Sequence, residues 1–255
     1  MTRHASHIHG AFSWLDLNSP DLAASRAFYA ALFGWSYNDI PIGEGSVYAM
    51  CLKEGVPVAA LATAIPGQPA PPQWQSFVSV SDVDAAAAKA AAAGGNIVHC
   101  GDVAEAGRIA LVADPEGARF ALWQAKAHIG ARRLNEHGAL AWNELHSADV
   151  EVARRFYPAV VGWDTVAMPM GPGEYIMFTQ AGNPKRSHGG LVPALPGEAS
   201  RWEVVFQVGD CAAALAVVAA GGGKIVQSPM DIPGIGRFAK CADNVGAAFG
   251  LLQSI

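Results

Sequence analysis

The sequence contains one long motif twice, and the second copy follows the first by 128 residues. The matched pairs are Trp14 and Trp142, Asp21 and Asp149, Phe28-Tyr29 and Phe156-Tyr157, and Gly34 and Gly162. After one inserted residue the correspondence continues to Gln124 and Gln253, near the end of each half. So many matches at one constant spacing are not expected by chance, and the chain is therefore a tandem duplication. Because each repeat has the size of a domain, we expect two similar domains, over residues 1–126 and 134–255.

Composition excludes several classes of protein. The net charge of −5 gives no electrostatic reason to expect a nucleic-acid partner, and 51% hydrophobic residues suffice for a sizeable core. No apolar run reaches the roughly 18 residues of a membrane span, and the N-terminus does not follow the order of a signal peptide. The cysteines form no Cys-x-x-Cys pair, which indicates reduced thiols. We therefore expect a cytoplasmic monomer or homodimer that contacts neither membrane nor nucleic acid.

Each half is predicted to repeat a smaller unit of one strand, one helix and three strands. Phe12 to Leu17 alternates and carries aromatic residues, which is typical of a strand. Ser19 is the predicted N-cap, Pro20 the first helical residue and Asp21 an acid in the first turn, and Gly34 ends the helix.

The second unit of the first half follows a proline-rich connection at 65–73, begins at Trp74 and has Ser81 as its predicted helix cap. The other half repeats this scheme. One departure is Pro158, which predicts that its helix is kinked in the last turn or ends early.

The repeated pattern resembles the vicinal oxygen chelate superfamily, which includes glyoxalase I, bleomycin-resistance proteins, fosfomycin-resistance transferases and extradiol dioxygenases. The resemblance rests on the strand, the acid and the Phe-Tyr helix, on Leu32-Phe33-Gly34-Trp35, and on the turn Asp114-Pro115-Glu116-Gly117 before a final strand. It covers nearly the whole chain. It implies an α+β fold in which four βαβββ units form two half-open sheets, each around a cleft. Reaction type is not implied, because this fold hosts several chemistries.

The resemblance also implies where a divalent metal would bind. The three usual ligand positions fall on Trp14, Gln75 and Ala121 in the first half, and on Trp142, Glu203 and Gly250 in the second. Trp and Ala offer no lone pair to a cation, which needs three or more nitrogen or oxygen donors. We therefore expect no metal at these positions and no other cofactor, and a divalent metal in a non-standard site is disfavoured but stays open.

Carboxylates next to the two tryptophans are the first candidate site residues. Asp16 and Glu144 each lie two residues after a Trp, so strand alternation places acid and indole on one face. That face would offer a stacking surface and a polar anchor to a ligand, unless the acid only bonds to a strand end or an arginine. Tyr48 and Tyr175 recur at similar places in the third strands, where they either line the clefts or belong to the core.

The second half offers more titratable groups than the first. His146 continues the face of Glu144, and Glu203 lies on a neighbouring strand, whereas the first half has Gln75 in the place of Glu203. We therefore predict that the second half holds the more functional cleft. Repulsion between its two acids is expected to raise one carboxyl pKa.

Three functions stay open at this point. The first is binding of a small, partly aromatic organic molecule, with ligand contacts from Trp14, Asp16, Tyr48, Gln75, Trp142 and Tyr175. The second is an enzyme, a lyase, isomerase or dioxygenase, in which Glu144, His146 and Glu203 perform acid-base chemistry or hold a metal in a non-standard site. The third is a structural or interaction role with degenerate clefts.

Overall fold

The computed structural model describes residues 3–43, 45–63, 71–170 and 173–255. Most of the proline-rich connection predicted at 65–73 lies outside these residues. Four βαβββ units follow one another along the chain. The first contains β1 (Phe12–Ser19), α1 (Leu22–Phe33), β2 (Ser36–Gly43), β3 (Ser46–Lys53) and β4 (Val56–Thr63). The second contains β5 (Trp74–Ser79), α2 (Val83–Ala92), β6 (Asn96–Val103), β7 (Gly107–Ala113) and β8 (Arg119–Ala125).

The second half repeats this order. Its first unit contains β9 (Leu140–Ser147), α3 (Val150–Val161), β10 (Trp163–Met170), β11 (Gly173–Gln180) and β12 (Asn183–Pro193). Its second unit contains β13 (Arg201–Gln207), α4 (Cys211–Ala220), β14 (Lys224–Ile232), β15 (Gly236–Ala242) and β16 (Ala248–Ser254). In the described part of the chain no helix is long and apolar enough to span a membrane, and all four cysteines are free thiols.

Each half forms one mixed eight-stranded sheet, which confirms the predicted α+β class. The strand order is β2-β3-β4-β1-β5-β8-β7-β6 in the first sheet and β10-β11-β12-β9-β13-β16-β15-β14 in the second, so the two topologies are the same. The opening strands of the two units, β1 and β5 or β9 and β13, pair antiparallel at the centre of each sheet.

An aspartate caps each of the four helices. The side chain of Asp21 accepts a hydrogen bond from the backbone N–H of Ala24 while its own backbone is extended, and Asp82 does the same for Ala85. The predicted caps Ser19 and Ser81 are therefore wrong: the acids expected in the first turn are the caps themselves. The corresponding caps in the second half are Asp149 and Asp210.

Pro158 does not shorten its helix. Helix α3 continues to Val161 and ends at Gly162 in the left-handed conformation, as α1 ends at Gly34. An early end of this helix is thus not observed.

The helices of both halves lie between the two sheets. Helix α1 contacts α4, and α2 contacts α3, so residues of both halves share one hydrophobic core. Two reciprocal buried hydrogen bonds cross this interface, from the Tyr29 hydroxyl to Asp243 (2.8 Å) and from the Tyr157 hydroxyl to Asp114 (2.9 Å). This exchange of equivalent partners is the pattern of a twofold interface. The opposite face of each sheet carries no helix and points away from the shared core. We call it the helix-free face.

Candidate functional site

The alternation of the central strands sends the candidate residues to the helix-free faces. In β1, Leu15 and Leu17 enter the shared core, and Trp14 and Asp16 therefore face the other way. The same alternation operates in β9. Strand register then pairs Asp16 with Gln75 across β1 and β5, and pairs Glu144 with Glu203 across β9 and β13.

The segment that joins the halves covers the helix-free face of the first sheet. Ala131 and Leu134 pack against an apolar cluster around Trp14, which is only 2% exposed. The His128 ring meets the Trp14 indole edge-on, with 4.6 Å between ring centroids. The backbone N–H of Ala131 donates to the Ser13 carbonyl at 2.7 Å, which fixes this cover to β1.

On the same face, the polar candidates of the first half bond to one another or to the backbone. Trp14 Nε1 donates to the Tyr48 hydroxyl (2.7 Å), and that hydroxyl donates to Asp16 at 3.4 Å. Burial raises the pKa of Asp16 to about 7, against the opposing effect of the Tyr48 hydrogen bond. The side-chain amide of Gln75 is oriented so that its oxygen faces donors and its nitrogen faces acceptors. That oxygen accepts from the backbone N–H groups of Phe120 and Ala121.

The second sheet repeats the same hydrogen-bonded chain. Trp142 Nε1 donates to the Tyr175 hydroxyl at 2.8 Å, and Tyr175 donates to Glu144 at 3.1 Å. Trp142 and Tyr175 are both partly exposed, and among the described residues no buried apolar cluster like that around Trp14 forms on this face.

A compact charged cluster lies beside this chain. It consists of Glu144, His146, Glu203 and Lys240, and we call it the charged cluster. His146 Nε2 lies 3.2 Å from a Glu144 oxygen and 3.7 Å from a Glu203 oxygen. The Lys240 ammonium lies 3.0 Å from the same imidazole nitrogen, 3.3 Å from Glu203 and 3.8 Å from Glu144. The three catalytic candidates of the second half are therefore brought together.

His146, together with Lys240, offsets the effect of burial on Glu144. Burial alone raises the pKa of Glu144, but the hydrogen bond and charge of His146, followed by Lys240 and Tyr175, hold that pKa below its ordinary value. The expectation that repulsion raises a carboxyl pKa is therefore wrong for Glu144, because His146 and Lys240 lie among the acids. Arg201 adds a second positive charge, 3.7 Å from Glu203.

The imidazole of His146 has two mutually exclusive bonding modes. Its Nε2 accepts a hydrogen bond from Lys240 when unprotonated, or donates to Glu144 when it carries a hydrogen. His146 is 6% exposed and Glu203 4%, whereas the Lys240 side chain is 18% exposed. Glu144, whose side chain is 19% exposed, and Lys240 are thus the members of the cluster that both contact the buried groups and reach solvent.

Sequence reasoning did not select Lys240 or Arg201. Strand alternation could have identified Lys240. Its neighbour Ala239 is in the core, so Lys240 lies with Phe238 on the opposite face of β15. The corresponding position of the first half is Leu111, which packs against the cluster around Trp14.

Of the three positions that the resemblance implies in the second half, Trp142, Glu203 and Gly250, only Glu203 offers a strong metal donor. Within the described residues, no group of three or more His, Cys, Asp or Glu side chains is arranged to hold a metal ion. At Gly250, the third position implied by the resemblance, an added Cβ would lie 2.8 Å from the Phe238 ring. A longer side chain at Gly250 would therefore displace Phe238.

Two grooves lie outside the charged cluster. One, of about 270 Å³, borders Trp142 and is also lined by Asn135, Asn143, Arg186 and His188. Burial lowers the pKa of His188 to about 4, so this imidazole is neutral near pH 7. The other groove, of about 420 Å³, lies beside Arg237 and Gln253 and contacts none of the candidate residues.

Comparison with known proteins agrees with this architecture. Residues 11–122 match the Glyoxalase/Bleomycin resistance protein/Dioxygenase superfamily. The whole chain is 40% identical over 257 residues to "Putative glyoxylase CFP32" of Mycobacterium bovis, covering 99% of this chain and 98% of that protein. The chain belongs to the glyoxalase/bleomycin resistance/dioxygenase superfamily.

One further relative and one solved structure are also similar to this chain. Anthracycline biosynthesis protein DauV of Streptomyces sp. strain C5 is 33% identical over 272 residues, covering 99% of this chain and 95% of that protein. The Mn(II)-bound glyoxalase from Novosphingobium aromaticivorans has the same fold, with a TM-score of 0.66 and 17% identity, over 100% of this chain and 85% of that one.

Proposed function

We propose that the helix-free face of the second half binds a small, partly aromatic organic molecule. The observation that carries this proposal is the convergence of the charged cluster on the face where Trp142 and Tyr175 are both partly exposed. Trp142 and Tyr175 supply aromatic surface, and Glu144 and Lys240 supply polar anchors. An aromatic wall with a few placed polar groups is the usual composition of a small-molecule site.

The names of two relatives support this class of ligand. One relative is named for anthracycline biosynthesis and another as a glyoxylase, which favours an aromatic molecule that carries carbonyl oxygens. The Lys240 ammonium can donate to such an oxygen, and the Lys240 side chain is 18% exposed. The groove beside Trp142 offers room for the apolar part of the molecule.

Isothermal titration with 1,8-dihydroxyanthraquinone, a planar aromatic ketone, tests the proposal. We expect Trp142→Phe to weaken binding about three- to tenfold, because aromatic contacts contribute roughly 0.5–1.5 kcal/mol beyond buried area. The matched control is Trp14→Phe, which breaks the same kind of bond to a tyrosine beneath the cover. Loss of binding in the Trp14 variant alone would assign the site to the first half and refute the proposal.

A second candidate function is metal-independent proton transfer next to a carbonyl. It is favoured by the contact of His146 Nε2 with Lys240. If Lys240 turns to the carbonyl oxygen of a bound ketone, the imidazole nitrogen is free to take a proton from the neighbouring carbon. The ammonium then stabilises the enolate, and return of the proton completes an isomerisation or exchange.

Proton exchange of phenylpyruvate in D2O, followed by NMR, tests this second candidate. His146→Asn is expected to slow the exchange about 100-fold or more, the usual contribution of a general base. Asp16→Asn serves as the control in the covered half and should leave the rate unchanged. Wild-type exchange no faster than in buffer alone would eliminate proton transfer but not ligand binding.

A further inference from the structure

We infer that the Lys240 ammonium occupies, as a permanent cation, the place of a divalent metal ion on the helix-free face of the second half. Its nitrogen lies 3.0 Å from His146 Nε2, 3.3 Å from a Glu203 oxygen and 3.8 Å from a Glu144 oxygen. One imidazole and two carboxylates are ordinary ligands of such metals. The chain thus retains a set of donors around one point and fills that point with its own side chain.

One pair of donors already has the spacing of metal ligands. Ligands about 2.1 Å from one ion are separated by roughly 3.0–3.4 Å in octahedral or tetrahedral geometry, and His146 Nε2 lies 3.2 Å from a Glu144 oxygen. The Glu203 oxygen nearest to that nitrogen is 3.7 Å away and is not the oxygen that faces Lys240, so Glu203 would have to move closer to share one ion with them.

The charges agree with the same assignment. Glu144 and Glu203 together carry two negative charges when ionised, which a divalent ion would neutralise. Here Lys240 and Arg201 supply two positive charges instead. One oxygen of Glu203 is buried and receives no hydrogen bond, although it points to within 3.3 Å of the Lys240 nitrogen. Such a group is costly to bury without a nearby cation.

The first half shows the contrast within the same molecule. Leu111 stands where the second half has Lys240, and Gln75 where it has Glu203. Asp16 stands where the second half has Glu144, and its raised pKa lets it become neutral, with no cation among the described residues that bond to it. The cation, Lys240, is thus present in the half that has the three donors His146, Glu144 and Glu203.

Metal titration of tag-free protein tests the inference. We expect wild type to bind neither Mn²⁺ nor Zn²⁺ stoichiometrically, by calorimetry and by mass spectrometry of the native protein. Lys240→Met should bind one ion per chain. Without metal this variant should melt roughly 5–10 °C below wild type, because two acids lose their buried cation, and Zn²⁺ should restore the melting temperature.

Two controls make the result specific. Lys240→Met combined with Glu203→Gln should lose the acquired metal binding, since one donor is removed. Lys126→Met removes a lysine that pairs with Asp102 at the surface and should gain no metal binding. Should Lys240→Met fail to fold, Lys240→Gln replaces it, because its amide retains a hydrogen-bond donor.

Two results would overturn the inference. Stoichiometric metal in wild type that is lost in Glu203→Gln would mean that Lys240 does not hold the position of the ion. A folded Lys240→Met or Lys240→Gln protein that binds no Mn²⁺ or Zn²⁺ at millimolar concentration would mean that the donors do not form a latent metal site.

Discussion

The two helix-free faces retain the same Trp-Tyr-acid chain but differ in everything around it. In the first half the joining segment covers Trp14, at one end of the chain Trp14-Tyr48-Asp16, and in the second half Trp142-Tyr175-Glu144 borders the charged cluster. Because the chain is present both where its tryptophan is buried and where its tryptophan is partly exposed, it belongs first to the packing of the sheet. The difference between the halves, His146, Glu203 and Lys240 against apolar or amide residues, is the better guide to function.

The comparison also shows two ways of tolerating a carboxylate on this face. Among the described residues no cation bonds to Asp16, and burial raises its pKa to about 7. Glu144 is surrounded by His146, Lys240 and Tyr175, and although burial opposes them they lower its pKa. The first arrangement suits a closed apolar surface, and the second holds ionised groups ready near solvent.

Displacing the joining segment from the helix-free face of the first sheet should have the largest effect on stability. Gly130 has a φ of +104°, and an added Cβ would lie 2.2 Å from the Ser13 carbonyl oxygen. We expect Gly130→Ala to lower the free energy of unfolding by about 3 kcal/mol, through backbone strain and overpacking. Trp14 should become accessible to acrylamide, measured by fluorescence quenching in a Trp142→Phe background.

The control for this change is Gly117→Ala, another glycine at positive φ, whose Cβ would meet nothing within 4 Å. It should be less destabilising and should leave Trp14 protected. If Gly130→Ala leaves Trp14 as protected as in wild type, the joining segment is not what separates the two faces.

A glycine in the second half should give the next largest effect. Gly190 pairs with Glu144 in the strand register, where the first half has Ala60 paired with Asp16. A Cβ on Gly190 would come within 1.8 Å of the Tyr175 hydroxyl. We expect Gly190→Ala to displace Tyr175 from Glu144 and to cost about 2 kcal/mol in urea unfolding.

The reciprocal change Ala60→Gly should cost only about 0.5–1 kcal/mol, the usual entropic penalty of glycine in a strand. Equal costs for the two substitutions would show that the Tyr175 position does not depend on this glycine. The aromatic chains of the two halves would then be interchangeable in this respect.

The fold could be predicted from the sequence because its signals are local and repeated. Strand alternation and glycines at helix ends recur in each half, and duplication confirms each signal against its copy. The helix caps were misassigned by two residues at Ser19, since Ser and Asp both favour this position and only the backbone conformation separates them.

The candidate site was predictable in part. Glu144, His146 and Glu203 follow from alternation and strand pairing, which are properties of the sheet. The cover over Trp14 could not be predicted, because it depends on where His128 and Ala131 of a segment without regular structure are placed by tertiary contacts. Lys240 was overlooked because an isolated lysine on a strand is normally a solvated surface residue.

The smallest expected effect is an opposite pH dependence of the two halves. The raised pKa of Asp16 means that the folded protein binds more protons than the unfolded chain between about pH 4 and 7, so this group loses stability as pH rises through that window. The lowered pKa of Glu144 has the reverse effect: its contribution to stability is present above the unfolded pKa and is lost as pH falls through the folded value.

Urea unfolding of Asp16→Asn and Glu144→Gln at pH 4 to 8 separates the two groups. Full linkage with a pKa of about 7 would give roughly 3 kcal/mol between pH 4 and 7. Because Asp16 is partly exposed to solvent, we expect Asp16→Asn to gain on the order of 1–2 kcal/mol relative to wild type over this range, whereas Glu144→Gln should lose stability. Asp114 and Asp243, which both accept from a buried tyrosine across the interface, are unchanged in the two variants and cancel in this comparison. Parallel pH profiles for the two variants would contradict the distinction between a neutral first face and an ionised second one.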